Sequence, residues 1–432
     1  MSSFRLARIS LLLAAIGLNA APALMIGAHA QKAATPATDT VRPELFKLLD
    51  PAAVQPLMAE KKYADVQARV TQADALPAKT AFETYVLDRL KISLGSATGN
   101  DAMTIGALEA VIAAGRLPPQ DQSEFILALG NFYYNAKNYP KAIEWMKRYE
   151  SESTTPLKVR ASLIRAHYLG GDFATAKTLL LPLIADAEKA GQAPSLEDLR
   201  LLGSAAFKLK DNPTYVMALE KLVALYPSDE HWTDLLHRLP SKPGYSQALD
   251  IDVFRLEAVT VKTMEPELYV ELAELALTAG FPTEAKNALD AGYAAGVLGT
   301  GANGAKHKQL RDRANKNAAD DVKNIAAGEA SAAKAKDGAG LVNLGYAYVT
   351  MGQFDKGIAL MEQGMARGIT KRADDYKLRL GTAYAKAGRK AEALTTFGSI
   401  KGADGLGDLA RYWAFWVNRP AAAPVPVAPA AK

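Results

Sequence analysis

A pattern that recurs after 36 residues is the feature that most limits how this chain can fold. Residues 344–348 read Leu-Gly-Tyr-Ala-Tyr, residues 380–384 read Leu-Gly-Thr-Ala-Tyr, and each copy is followed by a further glycine, Gly352 or Gly388. A single pair of helices of this length cannot bury its apolar face alone, so neighbouring copies must stack. The spacing therefore predicts an elongated array of helix pairs rather than two or three separate globular domains.

The composition agrees with a helical chain and excludes several kinds of chemistry. Of the 432 residues, 49% are hydrophobic, which is too apolar for a disordered chain. Alanine, the best helix former, is abundant. Cysteine is absent, so disulfides, thiolate metal sites, cysteine nucleophiles and bacterial lipoprotein acylation are excluded.

The second copy also contains Ala393 and Phe397, and with them it resembles the tetratricopeptide repeat. Looser copies lie upstream, around residues 129–146, 163–180, 202–227 and 272–289. The resemblance covers roughly residues 120–295 and 338–405. It implies an all-α solenoid of stacked antiparallel helix pairs, a right-handed superhelix with a concave inner face. Within each pair, the small glycine and alanine would sit where the two helices cross, and a further glycine would make the tight turn between them.

The first thirty residues have the features of a secretory signal peptide. Arg5 and Arg8 precede an apolar run over 9–16, and Ala28-His29-Ala30 is a small-x-small cleavage pattern before Gln31. The alternative is an uncleaved membrane anchor, but Gly17, Asn19 and Pro22 interrupt the apolar stretch. We therefore expect cleavage near Ala30/Gln31, no stable membrane insertion afterwards, and a periplasmic protein of a Gram-negative bacterium.

Removal of the signal peptide leaves 49 basic and 46 acidic residues, because Arg5 and Arg8 are its only charges. A net charge of +3 is too small over the remaining chain to indicate a nucleic-acid partner.

The chain is predicted to divide into seven segments. They are a signal peptide (1–30), a flexible spacer (31–44), an N-terminal solenoid (45–228), an atypical helix pair plus a degenerate repeat (229–300), a polar Ala-rich helical spacer (301–337), a C-terminal repeat pair with a capping helix (338–419) and a Pro/Ala-rich disordered tail (420–432). Within 301–337 we expect two helices separated near Lys316-Asn317. The aromatic helix 406–418 is predicted to seal the last repeat, with an exposed docking site as the alternative.

No pattern in the sequence indicates catalysis, a metal or a cofactor. The string Gly-Thr-Gly-Ala-Asn-Gly at 299–304 fits a dinucleotide fingerprint but has helical flanks where the fingerprint needs a strand. The histidines do not form an HExxH motif, and neither a G-x-S-x-G nor a Walker A string occurs. Paired carboxylates such as Asp374-Asp375 are interpreted as a helix start. We therefore expect a non-enzyme.

In tetratricopeptide proteins the first helix of each unit lines the concave groove, so the resemblance implies a set of groove residues here. These are Asn131, Tyr134, Asn135, Arg165, Tyr168, Arg200, Lys208, Tyr346, Asp375, Thr382 and Lys386. The set is polar, aromatic and basic, which suits an extended peptide with some acidic character. The family's carboxylate-clamp pattern is not reproduced, since Leu127 stands where its lysine is expected.

A basic run forms the densest charge cluster, with Asp312 as the one acid within it. Its members are Lys306, Lys308, Arg311, Arg313 and Lys316. It could bind an anionic polysaccharide, a lipid headgroup or an acidic protein, or it could be a solvated helix face.

The sequence thus predicts a non-catalytic periplasmic scaffold that binds a protein segment or envelope component in its concave groove and assists envelope assembly or secretion. Two alternatives stay open. One is a polysaccharide-binding accessory of an export machine, and the other is an enzyme with an unrecognised site, such as a cell-wall hydrolase.

Overall fold

The computed structural model describes residues 39–419, whose regular elements are α-helices with three short 3-10 helices in the connections between them. The predicted signal peptide, residues 31–38 of the predicted spacer and the tail 420–432 lie outside the described residues. The chain divides into two compact units, unit 1 up to Leu180 and unit 2 from Leu181. The boundary falls within helix α9 (Phe173–Lys189).

Unit 1 is built from eight helices that precede α9. They are α1 (Pro43–Leu49), α2 (Pro51–Ala59), α3 (Tyr63–Ala75), α4 (Ala81–Thr98), α5 (Asp101–Ala113), α6 (Pro119–Asn135), α7 (Tyr139–Glu152) and α8 (Arg160–Leu169). From α3 to α8 each helix packs against the next one in the chain. Their shared core is aliphatic, as the fully buried Leu108, Ile126 and Leu129 show.

Unit 2 contains the remaining helices. They are α10 (Leu196–Lys208), α11 (Asn212–Leu225), α12 (Asp229–Arg238), α13 (Asp250–Thr260), α14 (Pro266–Thr278), α15 (Pro282–Ala294), α16 (Gly304–Lys334), α17 (Ala339–Thr350), α18 (Phe354–Arg367), α19 (Ala373–Lys386), α20 (Lys390–Gly398) and α21 (Leu406–Asn418). Successive helices again pack as neighbours, most extensively α17 on α18, α14 on α15 and α10 on α11. The prediction of an all-α solenoid built from stacked helix pairs is confirmed.

The repeat glycines have the two roles that the pattern predicts. Gly352 and Gly388 have φ of 79° and 76°, the left-handed conformation that ends one helix and starts the turn to the next. Gly345 lies where α17 and α18 cross. A Cβ there would be 2.9 Å from the backbone nitrogen of Met361 and closer still to the carbonyl oxygen of Gly357, so only glycine permits this approach.

The polar segment after α15 differs from the prediction. Helix α16 runs unbroken through Lys316-Asn317, so the expected division into two helices is wrong. Neither residue is a proline or glycine, and the helix is held on both sides of this point by packing against α15 and α17. Its buried side chains are Leu310, Ala314, Ala318 and Ile325.

The last helix does more than seal the final repeat. Helix α21 packs on α19 and α20, as a capping helix would, and also on α11 and α13. The Arg411 guanidinium pairs with Glu220 of α11 at 2.6 Å, and the Trp416 indole N–H donates to the carbonyl oxygen of Val259 at 3.0 Å. Unit 2 is therefore closed on itself between its early helices and its C-terminal helix. Within residues 39–419 none of the helices has both the length and the apolar character needed to cross a bilayer.

Candidate partner-binding site

The predicted groove residues of unit 1 lie on two helices. Asn131, Tyr134 and Asn135 are on α6, and Arg165 and Tyr168 are on α8. Asn135 is exposed and the other four are partly exposed. All five are accessible to a partner, and their role in binding stays a prediction.

The predicted groove residues of unit 2 do not all reach the surface. Arg200 and Lys208 on α10 are exposed, and Asp375 and Lys386 on α19 are partly exposed. Tyr346 is fully buried and Thr382 is 2% exposed. The assignment of these two to a groove surface is therefore corrected.

A buried ionic cluster explains why Tyr346 lies below the surface. Arg255 of α13 is 3% exposed and pairs with Asp252 through Nη1 and Oδ1 at 2.8 Å. The same guanidinium makes two parallel hydrogen bonds to Glu284 of α15, and Tyr346 of α17 donates its hydroxyl to Glu284 Oε1 at 2.9 Å. Four side chains from three helices thus satisfy one another away from water.

Electrostatics within the cluster follow from this pairing. Burial alone would raise the pKa of Glu284, but the attraction of Arg255 outweighs it and holds the pKa below its ordinary value. Burial likewise opposes the charged form of Arg255, yet the attraction of Glu284 keeps its pKa above the ordinary value. Both groups are therefore charged at neutral pH.

Two further cations lie over the aromatic side chains of the same cluster. The rings of Phe281 and Tyr346 meet edge to face with centroids 5.0 Å apart. The guanidinium of Arg379 lies 5.4 Å from the Phe281 ring centre and 5.4 Å from that of Tyr376. The ammonium of Lys386 lies 5.8 Å from the Tyr346 ring centre. The rings hold these cations without neutralising them.

The part of unit 2 around Arg379 and Lys386, which we call the Arg379–Lys386 edge, has an unbalanced positive charge. Three cations, Arg255, Arg379 and Lys386, face two carboxylates, Asp252 and Glu284, and both carboxylates are already engaged by Arg255. Asp375 lies nearby but pairs with its own neighbour Arg372. The local excess is therefore one positive charge.

Arg379 and Lys386 also have unused hydrogen-bonding capacity. Arg379 donates from Nη1 to the side-chain oxygen of Asn343, but its buried Nε has no hydrogen-bond partner in the described part of the chain. Lys386 makes neither a hydrogen bond nor an ion pair with any residue from 39 to 419, and burial lowers its pKa. An anionic group in contact with these two cations would offset the cost of their desolvation.

The repeat pattern assigned Lys386 to the groove but gave no place there to Arg255, Glu284 or Arg379. One local signal for Arg255 exists, because it follows Val253 and precedes Leu256 on the buried face of α13, where a charged residue requires a partner. Nothing local shows that this partner lies on α15, since the two residues are 29 positions apart.

The predicted basic patch on α16 is divided by the structure. Arg311 pairs with Asp290 of α15 at 2.6 Å, and Lys308 pairs with Asp312 at 2.6 Å. Lys306, Arg313 and Lys316 are exposed. The patch is thus three cations directed to solvent and two that are neutralised.

The geometry defines a class of protein, a helical-repeat protein of stacked antiparallel pairs. Residues 342–404 match the family model of the tetratricopeptide repeat. That segment, with its paired helices, is therefore similar to the tetratricopeptide repeat. This fold is that of a protein–protein interaction scaffold. None of the curated proteins matches the chain.

Three solved structures show a loose likeness to the chain, each with a TM-score of 0.24. The TPR2AB-domain:pHSP90 complex of yeast Sti1 is 14% identical and is matched over 69% of this chain and 99% of that one. The TPR domain of P58(IPK) is 12% identical and is matched over 87% of this chain and 97% of that one. Naa15/Naa10 bound to HypK-THB is also 12% identical and is matched over 85% of this chain and 70% of that one. Likenesses this weak carry no argument about partners.

Proposed function

We propose that this protein is a non-catalytic scaffold of the bacterial envelope that binds an acidic segment of a partner protein at the Arg379–Lys386 edge of unit 2. The observation that carries the proposal is the uncompensated positive charge at this edge. A tetratricopeptide fold supports binding of a protein segment, and the signal-peptide pattern of residues 1–30 supports export to the periplasm.

An acidic side chain suits this edge better than a neutral one. A carboxylate has two acceptor oxygens, which match the partly exposed guanidinium of Arg379 and the unpaired ammonium of Lys386. Tyr376 and Asn343 are partly exposed beside them and offer an aromatic surface and an amide. Charge-assisted hydrogen bonds in a desolvated setting are roughly twice as strong as neutral ones.

The decisive experiment is crosslinking in the native cell followed by mass spectrometry of the captured partner. The variant Arg379→Gln/Lys386→Gln is expected to lose capture by at least about tenfold, the loss of one or more charged hydrogen bonds. The matched control is Lys371→Gln/Lys390→Gln, which removes the same charge from two exposed lysines at the starts of α19 and α20. Equal capture by the parent and both variants would reject the site.

A second location is the predicted groove surface of unit 1, where Tyr134, Arg165 and Tyr168 are three of the accessible members. The triple alanine variant tests it in the same crosslinking assay. Capture that survives this change but not the Arg379/Lys386 change would restrict binding to the unit 2 edge.

The proposed compartment has its own test. Fractionation of cells is expected to recover the protein in the periplasmic extract, with an N-terminus at or near Gln31. A protein that stays in the cytosol with its first thirty residues attached would refute the export proposal without touching the binding site.

A further inference from the structure

One face of α16 carries a line of cations that differs from the run seen in the sequence. Lys306, Arg313, Lys316 and Lys323 are all exposed, and in the described part of the chain none of them forms a hydrogen bond or ion pair. Lys308 and Arg311 do not belong to this line, because Asp312 and Asp290 neutralise them. We call the four unpaired cations the α16 stripe.

Helix geometry places the stripe on a single side. At 100° per residue its four members fall within a sector of about 100°, and at 1.5 Å per residue they extend over about 26 Å of the axis. The buried face, which includes Leu310, Ala314 and Ala318, points away from this sector. The stripe is therefore presented to solvent by a helix that packing holds in place.

The electrostatic balance of the stripe is positive. Asp320 is the one acid within the sector, so four cations and one carboxylate leave a charge of +3. Lys306 lies in the first turn of α16, where the helix macrodipole adds partial positive charge. A linear arrangement of like charges raises the local concentration of a polyanion.

The remaining residues of this face determine which polyanion fits. Apart from Asp320, the other residues of the sector from Lys306 to Asn324 are Gln309 and Asn324, and none is aromatic or a large aliphatic. Interfaces with folded proteins have aromatic-rich, apolar centres, and membrane-bound helices insert apolar anchors into the lipid. Amide groups among cations instead suit hydroxyl and carboxylate groups in a row.

We propose that the α16 stripe binds a linear acidic polysaccharide. This site is separate from the protein-binding edge of the proposed function, since none of its residues takes part in the Arg255 cluster. The partner class follows from the charge, the length and the amide content of the stripe.

The test measures binding of the full chain to polygalacturonate and to heparin at low and at physiological salt. The stripe variant changes Lys306, Arg313, Lys316 and Lys323 to Gln. The matched control changes Lys262, Lys371, Lys390 and Lys401 to Gln, four exposed lysines of unit 2 without ion pairs among residues 39–419. Circular dichroism verifies that both variants keep their helix content.

The stripe variant is expected to bind at least about tenfold more weakly and with less salt dependence, while the control stays within about twofold of the parent. Equal losses in the two variants would show an effect of net charge alone and overturn the proposal. It is also overturned if the parent binds neither polysaccharide at low salt. Stripe-dependent binding to anionic phospholipid vesicles or duplex DNA, without binding to the polysaccharides, would show that the partner class is wrong.

Discussion

Arg255 on α13 holds Glu284 on α15 through two parallel hydrogen bonds, Nε to Oε1 at 3.0 Å and Nη2 to Oε2 at 2.6 Å. Both side chains are buried, and the pair joins the helix before the repeat α14–α15 to the second helix of that repeat. A buried ion pair contributes to stability only when geometry and additional hydrogen bonds offset desolvation. Here Asp252 and Tyr346 supply those additional bonds.

Replacement of Arg255 by Met should lower the free energy of unfolding of unit 2 by about 3–5 kcal/mol, because Glu284 would be left buried and unpaired. The double variant Arg255→Met/Glu284→Met should recover at least half of that loss. Urea unfolding followed by tryptophan fluorescence measures both. A double variant as unstable as the sum of the two single variants would show that the side chains do not interact.

Glu83 is a buried carboxylate whose pairing makes the stability of unit 1 depend on pH. Hydrogen bonds from the Arg42 guanidinium, assisted by the backbone N–H groups of Arg42 and Thr80, lower the pKa of Glu83 to about 2. The folded pKa is below the unfolded value, so this contribution is complete above about pH 4.5 and is lost as pH falls toward 2.

The variant Glu83→Gln should therefore cost unit 1 about 3 kcal/mol at pH 7 and much less at pH 2.5. Thermal unfolding at several pH values checks this. A difference between parent and variant that does not shrink with acid would contradict the pairing, and Glu60→Gln, at an exposed site, is the control.

Close approach of α17 and α18 predicts the effect of adding one methyl group. Gly345→Ala should destabilise unit 2 by about 2–4 kcal/mol, because its Cβ would overlap backbone atoms of α18 that cannot move independently. In Gly328→Ala the nearest atom is Leu344 Cδ1 at 3.5 Å, an ordinary contact, so this variant should be stabilised by about 0.5–1 kcal/mol. Chemical denaturation compares them, and the same sign for both would be inconsistent with the packing.

Closure of unit 2 by α21 depends more on Trp416 than on the exposed ion pair. Trp416→Phe should lower the free energy of unfolding by about 1 kcal/mol, because it loses the hydrogen bond to Val259. Trp416→Ala should lower it by about 2–3 kcal/mol in total, because it also loses the contact with Trp413. Arg411→Gln should cost less than about 1 kcal/mol, since surface pairs are weak. Hydrogen exchange in α21 should be fastest in Trp416→Ala, slower in Trp416→Phe and slowest in Arg411→Gln. A larger effect from Arg411→Gln would mean that charge holds α21 in place.

The parts of the fold that were predictable are those that depend on neighbours in sequence. Gly352 and Gly388 mark the turns, and Leu344, Gly345 and their copies mark the helix crossings, because each of these features arises within one or two adjacent helices. The break expected near Lys316-Asn317 does not occur, because the continuity of this helix depends on packing against other helices and not on neighbours in sequence. A polar, Ala-rich stretch indicates little by itself, and packing on both sides decided that α16 is continuous.

The candidate site could be predicted only in part. The repeat pattern placed both Lys386 and Tyr346 on the groove surface, but Lys386 is partly exposed and Tyr346 is buried. A repeat consensus specifies which face of a helix a residue occupies. It does not specify which distant side chain covers that face, and here Arg255 does so from 91 positions earlier.

By itself the sequence determined the helix pairs, their period and their turns, because glycine conformation and apolar spacing act over a few residues. Only the tertiary structure decided which charges are neutralised and which stay open to a partner. That distinction depends on groups brought together from α13, α15, α17 and α19, and Coulomb attraction and desolvation are set by distances in space rather than along the chain.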